Sequence, residues 1–101
     1  MKESQKSIAE WAEQAFGKVG SNARVVGRAN EEMAELVRAA TSGKPPEKLV
    51  EEAADVVIVL YRLAERCGFD LEAMIDYKME VNRKREWKQD QTGCGYHTRQ
   101  K

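Results

Sequence analysis

The sequence predicts an all-α fold, organised as a four-helix bundle-like domain. Apolar residues recur at steps of three and four along four segments that short breakers separate, and this spacing is typical of amphipathic helices. No alternation of strand and helix patterns occurs along the 101 residues. A chain of this length is the size of one domain. We therefore expect one helical domain over residues 4–88, followed by an irregular C-terminal tail over residues 89–101.

Caps and breakers define the first two helices. The first is predicted from about Ser4 to Phe16, with Ser4 or Ser7 as its N-cap and glycines after its end. The second is predicted over residues 22–41 and ends where the segment 42–46, Ser-Gly-Lys-Pro-Pro, turns the chain. The apolar residues of the second helix share one predicted inward face: Val26, Ala29, Met33, Leu36, Val37 and Ala40.

The third and fourth helices differ in how their apolar residues are distributed. The third is predicted over residues 46–67, where a proline suits the first turn. Its apolar residues point in nearly every direction around the axis, which indicates a central, buried helix. The run from Val56 to Leu60 could form a strand, but the long stretch without a breaker favours helix. The fourth helix is predicted from its N-cap, Asp70, to about Trp87, with an inward face: Leu71, Met74, Ile75, Met79 and, as a further candidate, Trp87.

The third helix carries more apolar surface than its neighbours in one chain need. A core built from about 100 residues is marginal by itself. We expect the excess surface to form a subunit interface, so that the protein is a homodimer or a homotetramer built as a dimer of dimers.

Composition argues against several protein classes. Hydrophobic residues make up 42% and charged residues 34%, which argues against disordered and collagen-like chains. The longest aliphatic run, residues 56–60, is too short to span a bilayer, and the N-terminal residues lack the apolar segment of a signal peptide. Two cysteines, Cys67 and Cys94, are too few for a disulfide scaffold. We expect a cytoplasmic protein that binds no membrane and, with a net charge of zero, no nucleic acid stably.

Two pairs of acidic residues are candidates for metal binding. Glu32 and Glu35 are three residues apart on the second helix, and Glu52 and Asp55 are three apart on the third. Residues at this spacing share one side of a helix, so antiparallel neighbours would bring four carboxylates together. Magnesium and manganese prefer such oxygen ligands, and a charge at Asp55, beside an apolar run, needs a partner or a metal. The alternative is a solvated helix face, which is the commoner meaning of each pair alone.

A basic segment follows on the fourth helix. Lys78, Asn82 and Arg85 are spaced four and three residues apart and share one face. Two cations beside an amide can hold an anion such as phosphate. The alternative is a solvated helix end, where basic residues favour the helix dipole.

With these residues the chain resembles the MazG-like nucleotide pyrophosphohydrolases of the all-α NTP pyrophosphatase superfamily. The family signature, E-E-x-x-E followed by a spacer and E-x-x-D, here consists of residues 31–35, sixteen intervening residues (36–51), and residues 52–55. Residues 78–85 are similar to the K-x-x-x-N-x-x-R segment of the family. Residues 11–17 and the Gly95-x-His97 tail are similar to small members from phages and mobile elements.

The resemblance implies a magnesium-dependent enzyme, with manganese as a substitute. It would cleave an NTP or dNTP between the α- and β-phosphates, giving the monophosphate and pyrophosphate, in nucleotide-pool house-cleaning. Trp11 could stack on the base, although an aromatic residue at helical spacing more often belongs to the core. The implied metal ligands are Glu32, Glu35, Glu52 and Asp55, with Glu31 supporting the site or orienting water, and the implied phosphate or sugar contacts are Lys78, Asn82 and Arg85.

Three other functions stay open at this point. A phosphoribosyl-ATP pyrophosphohydrolase would belong to the same superfamily and have a similar size. A non-catalytic helical interaction module would use the acidic residues as surface and the third helix as a binding stripe. A nucleic-acid-binding bundle would use the basic residues 83–88 and show salt-sensitive affinity.

Overall fold

Four α-helices make up most of the chain, and the all-α prediction is confirmed. The computed structural model describes residues 1–97. Among these residues no helix is long and apolar enough to cross a membrane. The helices are α1 (Gln5–Phe16), α2 (Asn22–Thr41), α3 (Pro46–Cys67) and α4 (Leu71–Lys84), and two short antiparallel strands follow them, β1 (Trp87–Lys88) and β2 (Tyr96–His97).

The chain divides into two compact units. The first, Met1–Leu71, contains the first three helices, and α3 packs against both α1 and α2. The second begins at Glu72 and contains the rest of α4 and the β1–β2 ladder. The predicted domain boundary between residues 88 and 89 stays a prediction.

Local hydrogen bonds fix the start of α1 and tie it to the end of α3. Ser4 is the N-cap: its side chain accepts a hydrogen bond from the backbone N–H of Ser7, whose side chain accepts one from the backbone N–H of Ser4. The side-chain amide of Gln5 donates to the carbonyl oxygen of Phe69 (2.7 Å) and accepts from the backbone N–H of Leu71 (2.8 Å). The predicted start of this helix is therefore correct to one residue.

The loop between α1 and α2 is held against α3 by two arginines. Gly17 ends α1 with a φ of 80°, a conformation that favours glycine, and thereby turns the chain. Arg62 donates to the carbonyl oxygen of Gly17 (2.6 Å), and Arg66 donates to the carbonyl oxygen of Val19 (3.0 Å) and to the side chain of Asn22 (2.8 Å). These bonds fix the loop over the first unit and so shape the cavity described below.

The inward face of α2 differs from the predicted face. Val26, Met33 and Val37 are 50%, 43% and 53% exposed, so their predicted burial is wrong within the chain. The buried face is shifted by one residue and consists of Val25, Ala29, Glu32 and Ala39. The error arises because α2 has two apolar stripes, and periodicity alone does not say which one meets α3.

The third helix is central to the first unit but only partly buried. Its bounds agree with the prediction, and Gly68 closes it in a left-handed conformation. Val56 and Tyr61 are buried, whereas Val50 and Val57 are exposed, so the predicted burial around the whole axis is wrong within one chain. Within the first unit, α1 and α2 cover only part of its circumference. The predicted homodimer or homotetramer stays a prediction.

The last helix ends earlier than predicted. It stops at Lys84 rather than near Trp87, and its predicted inward residues Met74, Ile75 and Met79 are exposed. Trp87 instead begins the ladder, which pairs it with His97 inside the segment predicted to be irregular. A local loop closes this ladder, because the Asp90 carboxylate accepts hydrogen bonds from the backbone and side chain of Thr92. Residues 98–101 of the predicted tail lie outside the described residues.

Candidate active site

Three carboxylates from neighbouring helices meet at the contact between α2 and α3. Glu32 from α2 and Glu52 and Asp55 from α3 each offer one oxygen, and these oxygens all lie within 4.8 Å of one another. Glu32 is buried, Glu52 is half-buried and Asp55 is exposed. We call these three residues the carboxylate cluster. A set of carboxylate oxygens that is open to solvent on one side fits a hard divalent cation such as Mg²⁺ or Mn²⁺.

Glu35 lies next to the carboxylate cluster rather than inside it. It follows Glu32 by one turn of α2, is exposed, and forms a hydrogen bond with the Glu32 carboxyl group. This contact is one of the smaller causes that raise the pKa of Glu32.

Burial is the main influence on the protonation of Glu32. Burial raises its pKa, nearby Arg28 lowers it, and the charges of Glu35 and Asp55 raise it further, so that the pKa lies above its ordinary value. A buried carboxyl group of this kind takes up either a proton or a cation. The environment of Glu32 is thus suited to binding a positively charged ligand.

Two basic residues compensate the acidic ones within their own helices. Arg28 pairs through one nitrogen with Glu32 and through the other with Glu31, at 2.9 Å. Lys48 pairs with Glu52 at 3.3 Å and with Glu51 at 3.4 Å. Each base precedes its acidic partners by three and four residues, the spacing that brings side chains together on a helix.

A cavity of about 680 Å³ adjoins the carboxylate cluster, and all of its lining residues belong to the first unit. This volume lies in the range of small-molecule sites, which is about 300–1,000 Å³. Trp11 and Phe16 supply aromatic surface, with their rings edge to face and their centroids 5.4 Å apart. Glu32 and Asp55 connect the cavity to the cluster, and four basic side chains line it as well: Lys18, Arg24, Arg28 and Arg62.

The family comparison covers the residues of this site. The model of the MazG-like family matches residues 30–94, well over half of the chain. This chain belongs to the MazG-like family. The matched range contains the carboxylate cluster together with Glu31 and Glu35. The family resemblance predicted from the sequence is thereby confirmed.

A solved structure is also similar to this MazG-like chain. It is that of a MazG-like pyrophosphohydrolase from cyanophage S-2L, bound to dGDP and three catalytic Mn²⁺ ions per active site. The two chains are 28% identical, the similarity covers 96% of this chain and 91% of the phage chain, and the TM-score is 0.74. A search of curated proteins finds no match.

The predicted site residues of this MazG-like chain fall in both compact units. The carboxylate cluster, Glu35, Glu31 and Trp11 belong to the first unit, and the metal-binding and catalytic roles assigned to them stay predictions. Lys78, Asn82 and Arg85 belong to the second unit, and their predicted phosphate contact stays a prediction. In that unit Lys78 is exposed, and the carbonyl oxygen of Asn82 accepts a hydrogen bond from the Trp87 ring at 2.7 Å.

The basic side chains that line the cavity were not predicted from the sequence. Phosphate contacts were predicted only on α4, whereas Arg24 and Arg28 precede Glu32 on α2 by eight and four residues. Steps of four keep residues on one side of a helix, so this spacing could have placed both guanidinium groups beside a metal-binding acid. Lys18 and Arg62 carry no such local signal, because the fold of the α1–α2 loop brings them to the cavity.

Proposed function

We propose that this MazG-like chain is a nucleoside triphosphate pyrophosphohydrolase that requires Mg²⁺ and accepts Mn²⁺ as a substitute. It cleaves an NTP or dNTP between the α- and β-phosphates and releases the monophosphate and pyrophosphate. The observation that carries this proposal is the carboxylate cluster opening onto a nucleotide-sized cavity with aromatic and guanidinium walls. The cyanophage relative, which was solved with dGDP and Mn²⁺, supports it.

The donor set of the chain fits a divalent metal. Glu32, Glu52 and Asp55 provide three converging oxygens, and the side chain of Glu35 is hydrogen-bonded to that of Glu32. A bound divalent ion supplies compensation of the triphosphate charge and lowers the pKa of a coordinated water. Glu31, which is exposed and paired with Arg28, would orient the attacking water or support the ligands.

The cavity suits the remaining parts of a nucleotide. Trp11 and Phe16 offer aromatic surface on which a base can stack, a contact that accepts every base. Arg24 and Arg28 offer planar guanidinium groups that bind phosphate oxygens in pairs. We further propose that Lys78, Asn82 and Arg85 contact phosphate or sugar.

The chain needs no nucleophilic side chain for this reaction. Water attacks the α-phosphorus, the bond from this phosphorus to the α,β-bridging oxygen breaks, and pyrophosphate leaves with the electron pair of that bond, while the protons of the water pass to solvent or to the leaving pyrophosphate. The residues of the site therefore hold the triphosphate in line with the water and stabilise the charge on the leaving group. As a homo-oligomer that removes selected nucleotides from the cellular pool, the protein would need no nucleic-acid or membrane partner.

A screen of pyrophosphate release tests this function. Purified protein is incubated with Mg²⁺ and each of the eight common NTPs and dNTPs, with phosphoribosyl-ATP included as the substrate of the alternative enzyme. We expect pyrophosphate and the matching monophosphate from at least one nucleotide, none with EDTA, and at least about tenfold less with Asp55→Asn. Turnover of phosphoribosyl-ATP alone, or of no substrate at all, would contradict the proposal.

A further inference from the structure

Arg28 connects the carboxylate cluster with the cavity. Its guanidinium group pairs with the buried carboxylate of Glu32 and with Glu31, and the same residue lines the cavity. The side chain of Arg28 is 55% exposed, whereas that of Glu32 is 8% exposed. The arginine side chain therefore has access to solvent, while the acid to which it is bound is buried.

A divalent ion and Arg28 compete for the same carboxylate. An ion that binds Glu32 places two positive charges near the guanidinium group, and like charges at such short range repel one another. Giving up this ion pair leaves no uncompensated buried charge, because the divalent ion then neutralises the carboxylate of Glu32. Arg28 keeps its ion pair with Glu31, and the nitrogen released by Glu32 becomes available to a phosphate group in the adjoining cavity.

We propose that Arg28 is an exchangeable counter-cation of the active site. It neutralises Glu32 while no divalent ion is bound, and it turns to a phosphate group of the nucleotide once Glu32 has become a metal ligand. This inference rests on the proposed function and deepens it, since it makes Arg28 a residue that couples metal binding to substrate positioning.

The chemistry of the guanidinium group favours phosphate as the second partner. Arginine presents a rigid planar fork of donors that matches two phosphate oxygens, and it stays charged at any physiological pH. Arg24 lies one turn before Arg28 on α2 and lines the same cavity. Both residues can therefore donate to a polyphosphate chain that starts at the carboxylate cluster.

The chain provides a matched control in Lys48. Lys48 pairs with Glu52 and Glu51 at the same helical spacings that Arg28 uses with Glu32 and Glu31. It does not line the cavity but a separate hollow beside Glu35. Removing either base relieves competition for a cluster carboxylate, whereas only the removal of Arg28 takes a donor away from the nucleotide.

The experiment measures metal binding and nucleotide binding separately. Calorimetry with Mn²⁺ alone is carried out on the wild type, Arg28→Ala and Lys48→Ala. The proteins are then titrated at saturating Mn²⁺ with dGTP that carries an α,β-imido bridge and is not cleaved. We expect both variants to bind Mn²⁺ at least as tightly as the wild type. Arg28→Ala should bind the analogue about tenfold more weakly, and Lys48→Ala should bind it within about twofold of the wild type.

The conservative variant Arg28→Lys separates charge from geometry. Lysine keeps the charge but not the planar fork, so we expect a loss of analogue affinity of about threefold, between those of the wild type and Arg28→Ala. Should Arg28→Ala fail to fold, as judged by thermal melting, this variant carries the test. Analogue binding equal to that of the wild type would then overturn the inference.

The failures of the two proposals have different signatures. A wild-type protein that binds neither Mn²⁺ nor the analogue contradicts the proposed function itself. A wild type that binds both, with Arg28→Ala indistinguishable from Lys48→Ala towards the analogue, overturns only the role of Arg28. Weaker Mn²⁺ binding by Arg28→Ala overturns it as well, because Arg28 would then support Glu32 as a ligand instead of competing for it.

Discussion

The carboxylates of Glu32 on α2 and Asp55 on α3 lie within 4.8 Å of each other and line the same cavity. Asp55 contributes to raising the pKa of Glu32, so their proximity opposes full ionisation of the site. A divalent cation relieves this repulsion, and so does a proton. The thermal stability of the metal-free protein should therefore increase when a proton binds, when a divalent ion binds, and when one of these acids is removed.

The first prediction concerns the pH dependence of stability. Because burial raises the pKa of Glu32, the folded protein binds this proton more tightly than the unfolded chain does. As pH rises from the ordinary value of 4.5 through the raised pKa, the metal-free protein loses stability from this group. In EDTA, Glu32→Gln should thus melt above the wild type at pH 7. Melting curves across pH should show the difference shrinking as pH falls towards 4.5, and a less stable variant at pH 7 would contradict the assignment.

The second prediction concerns the ligands themselves. Asp55→Asn or Glu35→Gln should weaken Mn²⁺ binding and reduce turnover by at least about tenfold, since each removes a charged oxygen that we propose as a metal ligand. Without metal, the variants should melt at the wild-type temperature or above it, because a repulsive charge is gone. Calorimetry, steady-state kinetics and melting curves provide the three readouts.

The control for this pair is Glu10→Gln, a change of the same chemistry on the exposed face of α1. It should leave metal binding and turnover unchanged. If Asp55→Asn and Glu35→Gln lose their fold together with their activity, the acids act as structural ion-pair partners and not as ligands.

The third prediction concerns base stacking. Trp11 is 54% exposed and lines the cavity, so its ring is open to a stacked base. Trp11→Ala should raise KM about tenfold and leave Mn²⁺ affinity unchanged, since stacking on an aromatic residue contributes about 1–3 kcal/mol per base. Phe69→Ala removes an exposed aromatic residue outside the cavity and serves as the control. Equal kinetics for the two variants would place the base elsewhere.

The fourth prediction concerns the anchored loop. Arg66 makes two hydrogen bonds that join α3 to residues 19 and 22, far away in sequence. Arg66→Ala should lower the free energy of unfolding by about 1 kcal/mol, because these bonds are charge-assisted but exposed. Urea denaturation measures this, with Arg83→Ala on the exposed side of α4 as the control. A loss no larger than that of Arg83→Ala would mean that the loop holds its place without Arg66.

The fifth prediction concerns assembly. Val26, Met33 and Val37 form an exposed apolar stripe on α2, in addition to the surface of the third helix from which the subunit interface was predicted. If this stripe belongs to the predicted subunit interface, Val37→Glu should lower the molar mass measured by light scattering towards that of a monomer. Gln14→Glu adds the same charge at an exposed position of α1 and should leave the molar mass unchanged. An unchanged mass for Val37→Glu would place the interface elsewhere.

Local signals in the sequence were sufficient to predict where the helices begin and end, but not which face of each helix is buried. The bounds of α2 and α3 were predictable because a proline pair and glycines interrupt the helical pattern at fixed points. The burial of Glu32 was not predictable, because the stripe beside it is more apolar. Only the packing against α3 determines which of these two faces of α2 is buried. The sequence left Glu32 as either a metal ligand or part of a solvated helix face, whereas the fold buries it.

The carboxylate cluster and the cavity also differ in how far they could be predicted. The three-residue spacing of Glu52 and Asp55 lies within one helix, so the sequence alone predicted that the two side chains share one side of it. The cavity needs the α1–α2 loop to be bound by Arg62 and Arg66, which are more than forty residues away in sequence. No local pattern encodes such contacts, and for this reason Lys18 and Arg62 were missed.

The most direct test of the account is an anomalous difference map from crystals of the protein soaked with Mn²⁺. We predict at least one Mn²⁺ peak within about 2.5 Å of carboxylate oxygens of Glu32, Glu52 and Asp55. Manganese that supports pyrophosphate release but binds away from these three residues, or the absence of any peak among them, would contradict the central claim.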